Sequence, residues 1–213
     1  MKRALLMSLG LVAVAVPVEG QLFNFPVYAT PSGAPATFVA GTYGRGLNED
    51  SGEFDAFGGA VGRTGIGGRT TVVAGFGYVD FPTEAEWTFG GNVGVDMLQP
   101  DGSAQVTIQG GIGYLGVDVG GETLTTLHFP IGLAIKGNMS GPSADVAPWI
   151  MPRLSIVQVS YLDESETETE FGVSGGVSVT LPSGFGAHTA IDLLNTDPSL
   201  WTLGVGVHYR IGS

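Results

Sequence analysis

The stretch that decides the fold of this chain is WTLGVGVHYRI, residues 201–211. Its odd-numbered positions carry Trp, Leu, Val, Val, Tyr and Ile, while its even-numbered positions carry Thr, Gly, Gly, His and Arg. Because successive side chains of a β-strand point to opposite faces, one face is apolar with aromatic ends and the other is small or polar. A soluble β-sandwich would bury the apolar face, whereas a membrane barrel turns it toward lipid and keeps the polar face inside.

The same alternation recurs in residues 87–97, 127–135 and 171–181 and predicts an all-β chain. We expect a transmembrane antiparallel up-and-down barrel of ten strands, with eight strands as the alternative. The typical strand length suits the roughly 9 to 11 residues of a tilted membrane strand. The predicted strands cover residues 37–46, 54–63, 67–79, 86–98, 104–117, 126–137, 146–161, 170–181, 185–194 and 200–211.

The connections between predicted strands differ at the two ends of the barrel. The joints at 64–66, 99–103 and 182–184 are tight, whereas those at 47–53, 162–169 and 195–199 are polar or acidic. Outer-membrane barrels keep short turns in the periplasm and longer loops outside, so both chain ends are predicted to lie in the periplasm. The joint at 138–145 is longer than this rule expects.

Aromatic residues near predicted strand ends supply a second indication of a membrane barrel, since Tyr and Trp favour the two membrane interfaces. The alternative interpretation is that these rings pack a soluble core. The expected outer girdle contains Tyr78, Trp87, Tyr114, Phe129, Tyr161, Phe171 and Trp201, and the expected inner girdle contains Trp149, Phe185 and Tyr209.

On these features the chain resembles the small outer-membrane β-barrel families of Gram-negative bacteria, from Ala36 to Ser213. The most specific part is the last strand, which is similar to the C-terminal signal read by the barrel-assembly machinery. That signal usually ends on an aromatic residue, but here Gly212 and Ser213 follow Ile211. The resemblance implies an outer-membrane location, with the assembly machinery, membrane lipid and lipopolysaccharide as partners. It is a match of architecture and implies no activity.

Composition excludes several classes of function. The chain has 213 residues, of which 36 are Gly and none is Cys, so disulfides, thiolate metal sites and a cysteine nucleophile are excluded. Its formal net charge of −12 disfavours nucleic acid as a partner, because binding to phosphates needs clustered Lys and Arg.

The first twenty residues have the layout of a secretory signal peptide. Lys2 and Arg3 precede an apolar run that ends before Pro17, and this run is too short for the roughly 20 residues of a membrane-spanning helix. We therefore expect residues 1–20 to be a signal cleaved after Gly20. Residues 21–35 are expected to form an irregular periplasmic lead-in, with a luminal plug or an added strand as alternatives. Residues 36–213 form the predicted barrel.

Candidate chemistry is confined to the predicted inward positions, which carry Asn92, Asp96, His128, Lys136, His188, Asp192, His208 and Arg210. His188 and Asp192 share one strand face but lie about 13 Å apart along it, too far for a direct dyad. A luminal polar site is one interpretation of this set, and charge-paired packing of a narrow barrel is the favoured one. The Gly-rich segment 110–113 lies inside a strand and indicates close packing, not a phosphate loop.

The enzyme alternatives have weak support. Outer-rim proteases and lipid hydrolases would need a rim His, and only His128 near Ser199 or Asp80 suggests one, without a nucleophile motif. The acidic run 163–170 is interpreted as a solvated hairpin, not as a calcium site.

We therefore expect a protein without catalytic, cofactor or metal residues, whose role is structural, surface interaction or a narrow pore. A small solute in the lumen remains open as a partner. The alternatives are a soluble periplasmic barrel that binds a small apolar ligand, and an outer-rim hydrolase or protease.

Overall fold

The computed structural model describes residues 36–47, 55–80, 85–97, 104–162, 164–195 and 200–211. The predicted signal and the lead-in before Ala36 lie outside these residues and stay predictions. The described strands are β1 (Thr37–Gly46), β2 (Asp55–Ile66), β3 (Thr70–Asp80), β4 (Ala85–Asp96), β5 (Ala104–Val119), β6 (Glu122–Gly137), β7 (Met139–Ser140), β8 (Asp145–Tyr161), β9 (Glu164–Thr180), β10 (Phe185–Asn195) and β11 (Leu200–Ile211).

Ten of these strands close into one antiparallel barrel. Each long strand pairs with its neighbour in sequence, β1 pairs with β11, and β6 pairs with β8. The two-residue β7 only adds a short ladder to the start of β8. The prediction of ten strands is confirmed, and the alternative of eight strands is wrong. No helix in the ranges that the structure describes is long and apolar enough to cross a bilayer.

The outer surface of the barrel is apolar in the way that lipid requires. On β4, for example, Trp87, Phe89, Val93 and Val95 are exposed, while Asn92 between them is buried. A soluble protein would hide this continuous apolar surface, because large exposed patches drive association. A closed barrel pairs all its strands inside the bilayer, so this surface is that of a membrane-spanning barrel.

An aromatic band lies near one end of this surface, which we call the outer end. Tyr43, Phe57, Tyr78 and Trp87 occupy directly opposite positions on β1 to β4. The ring centroids of Tyr43 and Phe57 are 5.1 Å apart, and those of Tyr78 and Trp87 are 5.3 Å apart. Such contacts stabilise cross-strand pairs and suit a membrane interface.

Two predicted girdle residues face the wrong way for that role. Trp149 is only 6% exposed and belongs to a luminal apolar cluster with Met151, and Tyr161 packs on the luminal side against Val157 and Val159. The prediction failed because both alternate residue sets of β8 are largely apolar, so periodicity alone does not identify its lipid face. Phe185 and Tyr209 do face outward at the inner end, where they are paired.

Four strands continue beyond the outer rim. The ladder between β4 and β5 ends at Leu115, and the ladder between β9 and β10 ends at Phe171. Residues 116–125 and 157–170 of β5, β6, β8 and β9 continue pairing beyond these points, and we call this extension the projecting sheet. It ends in a tight turn at Gly120 and Gly121, both with positive φ, and in a second turn at Leu162.

The joint that the sequence predicts at 162–169 is therefore mostly strand. Glu164 to Glu170 pairs residue by residue with β8, and the alternating Thr and Glu suit a strand whose two faces differ. Phe171 is the outermost apolar residue on the lipid side of β9, so residues 164–170 lie outside its membrane-spanning part.

The lumen is filled, although many inward positions are Gly. Phe38 lies over Gly62, and Arg153 lies between its strand neighbours Gly132 and Gly172. A Cβ on Gly62 would come within 2.4 Å of the Phe38 ring. These glycines thus accommodate large neighbouring side chains.

Candidate functional site

The eight inward residues expected from sequence all face the lumen, but they do not form one site. Asp96 and Lys136 lie at the inner end, where Thr107 donates a hydrogen bond to Asp96 over 2.7 Å. Three distinct polar groupings follow outward from this end: a histidine pair, a buried ion pair, and a cluster near the outer rim.

The histidine pair joins neighbouring strands β10 and β11. The Nδ1 atoms of His188 and His208 are 3.4 Å apart, and their Nε2 atoms lie 3.0 Å from Thr42 Oγ1 and 2.9 Å from Thr180 Oγ1. The ring centroids are 5.7 Å apart, about the sum of 3.4 Å and two ring radii, so the rings meet end to end. The chain of four side chains connects β1, β11, β10 and β9 across the seam that closes the barrel.

Glycines opposite the two rings make this arrangement fit. His188 is paired with Gly206 and His208 is paired with Gly186, and a Cβ on either glycine would lie 2.5 Å or less from the opposing Nε2. The two strands therefore carry the same Gly-x-His pattern in opposite directions. This repeated pattern is a signal in the sequence that the strand-by-strand analysis missed.

The ion pair is a second buried luminal grouping that the sequence pattern does not predict. Arg153 donates two hydrogen bonds to the Asp192 carboxylate, of which the one from Nη2 to Oδ2 measures 2.7 Å. Ser174 bonds to both partners, and all three side chains are at most 2% exposed. Asp192 is thus committed to Arg153, and the geometry contains no His188–Asp192 dyad.

The third grouping lies at the outer rim on β6, β8 and β9, and we call it the outer luminal cluster. It consists of Thr126, His128, Ser155 and Glu170, none of them more than 6% exposed. Ser155 is directly opposite Glu170, and His128 lies one row further out, opposite Val157. Among the described residues, the Thr126 and Ser155 hydroxyls, both ring nitrogens of His128 and both carboxylate oxygens of Glu170 lack a hydrogen-bond partner.

The electrostatic surroundings of Glu170 are unusual for a residue beside the membrane surface. Burial and, to a smaller extent, the neighbouring Glu168 raise the pKa of its carboxyl, Arg153 opposes both effects, and the resulting pKa is about 7. A carboxylate in this position lacks the hydrogen bonds that ordinarily hold a buried charge.

The predicted partners of His128 for rim chemistry are not confirmed. Asp80 points to the outer surface of β3, on the opposite side of the wall from His128, and Ser199 lies outside the described residues. β6 begins at Glu122, several residues before its predicted start, so His128 does not lie at the end of the strand. Its side chain is buried on the luminal face. The nearest hydroxyl by register belongs to Ser155, and no hydrogen bond joins the two side chains.

Metal binding by several side chains has no support in the described ranges, which contain no group of three or more His, Asp or Glu side chains placed to hold a metal ion.

Comparison with protein-family models and with curated proteins gave no match.

Solved structures that are similar to this chain include three bacterial barrels. The translocator domain of the autotransporter NalP from Neisseria meningitidis has 13% identity and a TM-score of 0.48, covering 94% of this chain and 97% of that one. The N-terminal barrel domain of OprF from Pseudomonas aeruginosa has 12% identity and a TM-score of 0.40, covering 84% and 100%. The outer membrane protease OmpT from Escherichia coli has 8% identity and a TM-score of 0.44, covering 85% and 99%.

Proposed function

We propose that this chain is an integral outer-membrane protein with a structural and surface-interaction role and without a catalytic site. The observation that carries the proposal is the contrast between a lumen filled by side chains and a four-stranded sheet that continues beyond the membrane. The first feature disfavours transport, and the second supports a role in which the projecting sheet contacts partners.

A transport role is disfavoured by the buried ion pair. Arg153 and Asp192 connect β8 to β10, and Ser174 of β9 bonds to both. An open aqueous channel belongs to barrels of about 16 to 18 strands, whereas small barrels fill their interior with side chains. The narrow-pore role therefore has less support than the surface role.

A surface role is favoured by the free edge of the projecting sheet. Beyond Phe171, residues 164–170 of β9 pair with β8 on one side, and no described strand pairs with them on the other. Exposed backbone edges invite pairing with another chain, and charged side chains limit this to complementary partners. The Glu side chains of this edge favour a basic partner and disfavour pairing between two copies.

The remaining partners follow from the barrel itself. The apolar surface fits membrane lipid, the outer aromatic band fits the interface that lipopolysaccharide occupies, and β11 provides the edge that the assembly machinery would read. The soluble alternative has less support, because its apolar face would have to be buried inside the barrel. The hydrolase alternative has less support, because in the described structure no hydrogen bond joins the Ser155 hydroxyl to His128.

Cysteine labelling on intact cells tests the location and the orientation, because the native chain has no Cys. Thr167→Cys places a thiol on the projecting sheet, and the matched control Ser183→Cys places one in the turn between β9 and β10. We expect a membrane-impermeant maleimide to label residue 167 on intact cells and residue 183 only after permeabilisation. The reverse pattern would mean that the projecting sheet faces the periplasm, and release by osmotic shock would support the soluble alternative.

Conductance in a planar bilayer tests the filled lumen. We expect the native protein to show no stable conductance. Arg153→Ala combined with Asp192→Ala should conduct small ions, because this double variant removes two large side chains that fill the lumen. A native protein that conducts steadily would restore the narrow-pore role.

A further inference from the structure

The outer luminal cluster has the composition of a ligand site, and the first indication is its unpaired polar atoms. Buried polar groups are almost always hydrogen-bonded, and exceptions in native proteins commonly mark functional sites. Here Ser155 is fully buried, His128 is 4% exposed and Glu170 is 6% exposed, and the polar side-chain atoms of all three lack partners in the described structure. Each lies on a different strand, and all three point to the lumen.

The second indication is the charge above this cluster. Further out on the same face of β9, the exposed side chains are Glu168, Glu166 and Glu164. The cation nearest to Glu170 in its electrostatic surroundings is Arg153, which already pairs with Asp192. The four carboxylates therefore produce a negative potential that leads from the tip of the projecting sheet down to Glu170, and such a gradient attracts cations.

The chemistry of the three groups selects among cations. A metal ion would need several protein ligands, and no suitable group of three is present in the described ranges. A primary ammonium has three N–H donors. The Glu170 carboxylate, the Ser155 hydroxyl and a neutral His128 ring nitrogen offer it three acceptors on three adjacent strands.

The apolar part of the ligand is indicated by the next rows outward. Leu124, Val157 and Val159 form a buried apolar cluster on the luminal face of the projecting sheet, and Val157 lies directly between His128 and Glu168. A ligand whose ammonium group reaches Glu170 would place its remaining atoms against these side chains.

We propose that the outer luminal cluster binds a small organic cation, a primary ammonium carried on a short apolar chain, with Glu170, Ser155 and His128 as its three acceptors. Glu170 is the innermost residue of the free edge of β9, but the site uses its luminal side chain and not the backbone of that edge, so the proposal does not depend on the proposed surface interaction. Its ligand enters from the outer end, along the Glu side chains of the projecting sheet.

Calorimetric titration of the full chain in nonionic detergent tests the proposal with n-pentylammonium as the probe. We expect pentylammonium to bind, and 1-pentanol, which lacks the charge, to bind at least tenfold more weakly. Pentyltrimethylammonium keeps the charge but has no N–H donors, and it should also bind more weakly. Equal binding of pentylammonium and pentanol would overturn the proposal, as would displacement of pentylammonium by millimolar Mg²⁺.

Two variants locate the site. Glu170→Gln removes the charge with little change in shape and should weaken pentylammonium binding roughly ten- to a hundredfold, the effect of a hydrogen bond to a charged group. The control Glu164→Gln, at the exposed tip of the same face, should change it less than threefold. Heat-modifiable migration confirms that each variant is folded. Equal affinity of the Glu170→Gln variant and the native chain would overturn the proposal.

A residue-specific measurement covers the case in which Glu170→Gln does not fold. Selective ¹³C labelling of Glu carboxyl groups follows the titration of Glu170 in the native chain. Bound pentylammonium should shift that titration to lower pH, and the affinity should fall about tenfold per pH unit below the pKa near 7. An unchanged Glu170 titration in the presence of saturating pentylammonium would contradict the assignment.

Discussion

Two polar regions of the lumen lie on adjacent rows of the same strands, but the polar side chains of one are hydrogen-bonded to each other and those of the other are not. Arg153 on β8 has an acid and a hydroxyl within reach, and all three side chains of that network bond to one another. Two residues further out on β8, Ser155 faces Glu170 and bonds to nothing in the described structure.

The difference teaches that burial alone does not make a polar group structural. A buried ion pair is retained only when geometry and extra hydrogen bonds offset desolvation, as at Arg153. A buried carboxyl without bonds instead shifts its pKa, as at Glu170. The first region should therefore control stability and the second should control response to ligands and pH.

The largest effect is expected from removing one partner of the Arg153–Asp192 ion pair. Asp192→Leu leaves the Arg153 guanidinium buried without its acid, and this should lower the free energy of unfolding by roughly 3 to 5 kcal/mol. Urea unfolding in lipid vesicles, followed by tryptophan fluorescence and by heat-modifiable migration, measures the change.

The control for this prediction replaces both partners. Arg153→Met combined with Asp192→Leu removes the charge together with its acid, so most of the lost stability should return. If the double variant is as unstable as Asp192→Leu alone, the loss comes from packing at residue 192 and not from an uncompensated charge.

A charge on the opposite side of the wall should be the next most damaging. Val93 lies between Trp87 and Met97 on the lipid face of β4, near the bilayer middle, and is 48% exposed. Val93→Arg should destabilise the barrel by roughly 2 to 4 kcal/mol, because lipid offers the guanidinium no partner. Asn92→Ser, one residue away on the luminal face, introduces no charge and is the comparison, and equal loss in both variants would show that the two faces are assigned wrongly.

A smaller loss of stability is expected at the histidine pair, whose rings are hydrogen-bonded but form no ion pair. His208→Asn removes bonds to Thr180 and His188 and leaves space over Gly186, so the free energy of unfolding should fall by roughly 1 to 3 kcal/mol.

A double-mutant cycle with His188→Asn sharpens this prediction, since residues that share a hydrogen bond are not additive. The two single losses should add up to more than the loss in the double variant. Strict additivity would mean that the two imidazoles do not interact.

The sequence predicts the barrel well because alternation is a local property. Eight of the ten predicted strands start within three residues of their observed start, and the two exceptions, β6 and β9, are those whose polar residues continue into the projecting sheet. Alternation of Thr with Glu at 164–170 lacks the apolar face by which a membrane strand is recognised. The sequence pattern therefore predicts a polar joint at 162–169 and not the extension of β9.

The candidate site was predictable only in part, because partners depend on register. The inward direction of His128, His188 and Asp192 follows from parity along each strand. That Asp192 meets Arg153, or that Ser155 faces Glu170, depends on how β8, β9 and β10 are aligned, which no single strand encodes. β8 added a further difficulty, since its two apolar faces conceal the inward direction of Arg153.

The effect that separates the two regions most directly is the pH dependence that Glu170 gives to stability. Its folded-state pKa is raised from 4.5 to about 7, so the folded chain binds a proton more tightly than the unfolded chain. That contribution is fully present below pH 4.5, and it is lost as the pH rises through about 7. Glu170→Gln cannot titrate, so its stability relative to the native chain should increase between pH 4.5 and pH 7 and then stay constant. Urea unfolding at several pH values measures this difference, and Glu164→Gln, which is exposed, should show no such rise. A difference between native and Glu170→Gln chains that is flat across this range would mean that Glu170 has a partner at every pH, and the two regions of the lumen would then be alike.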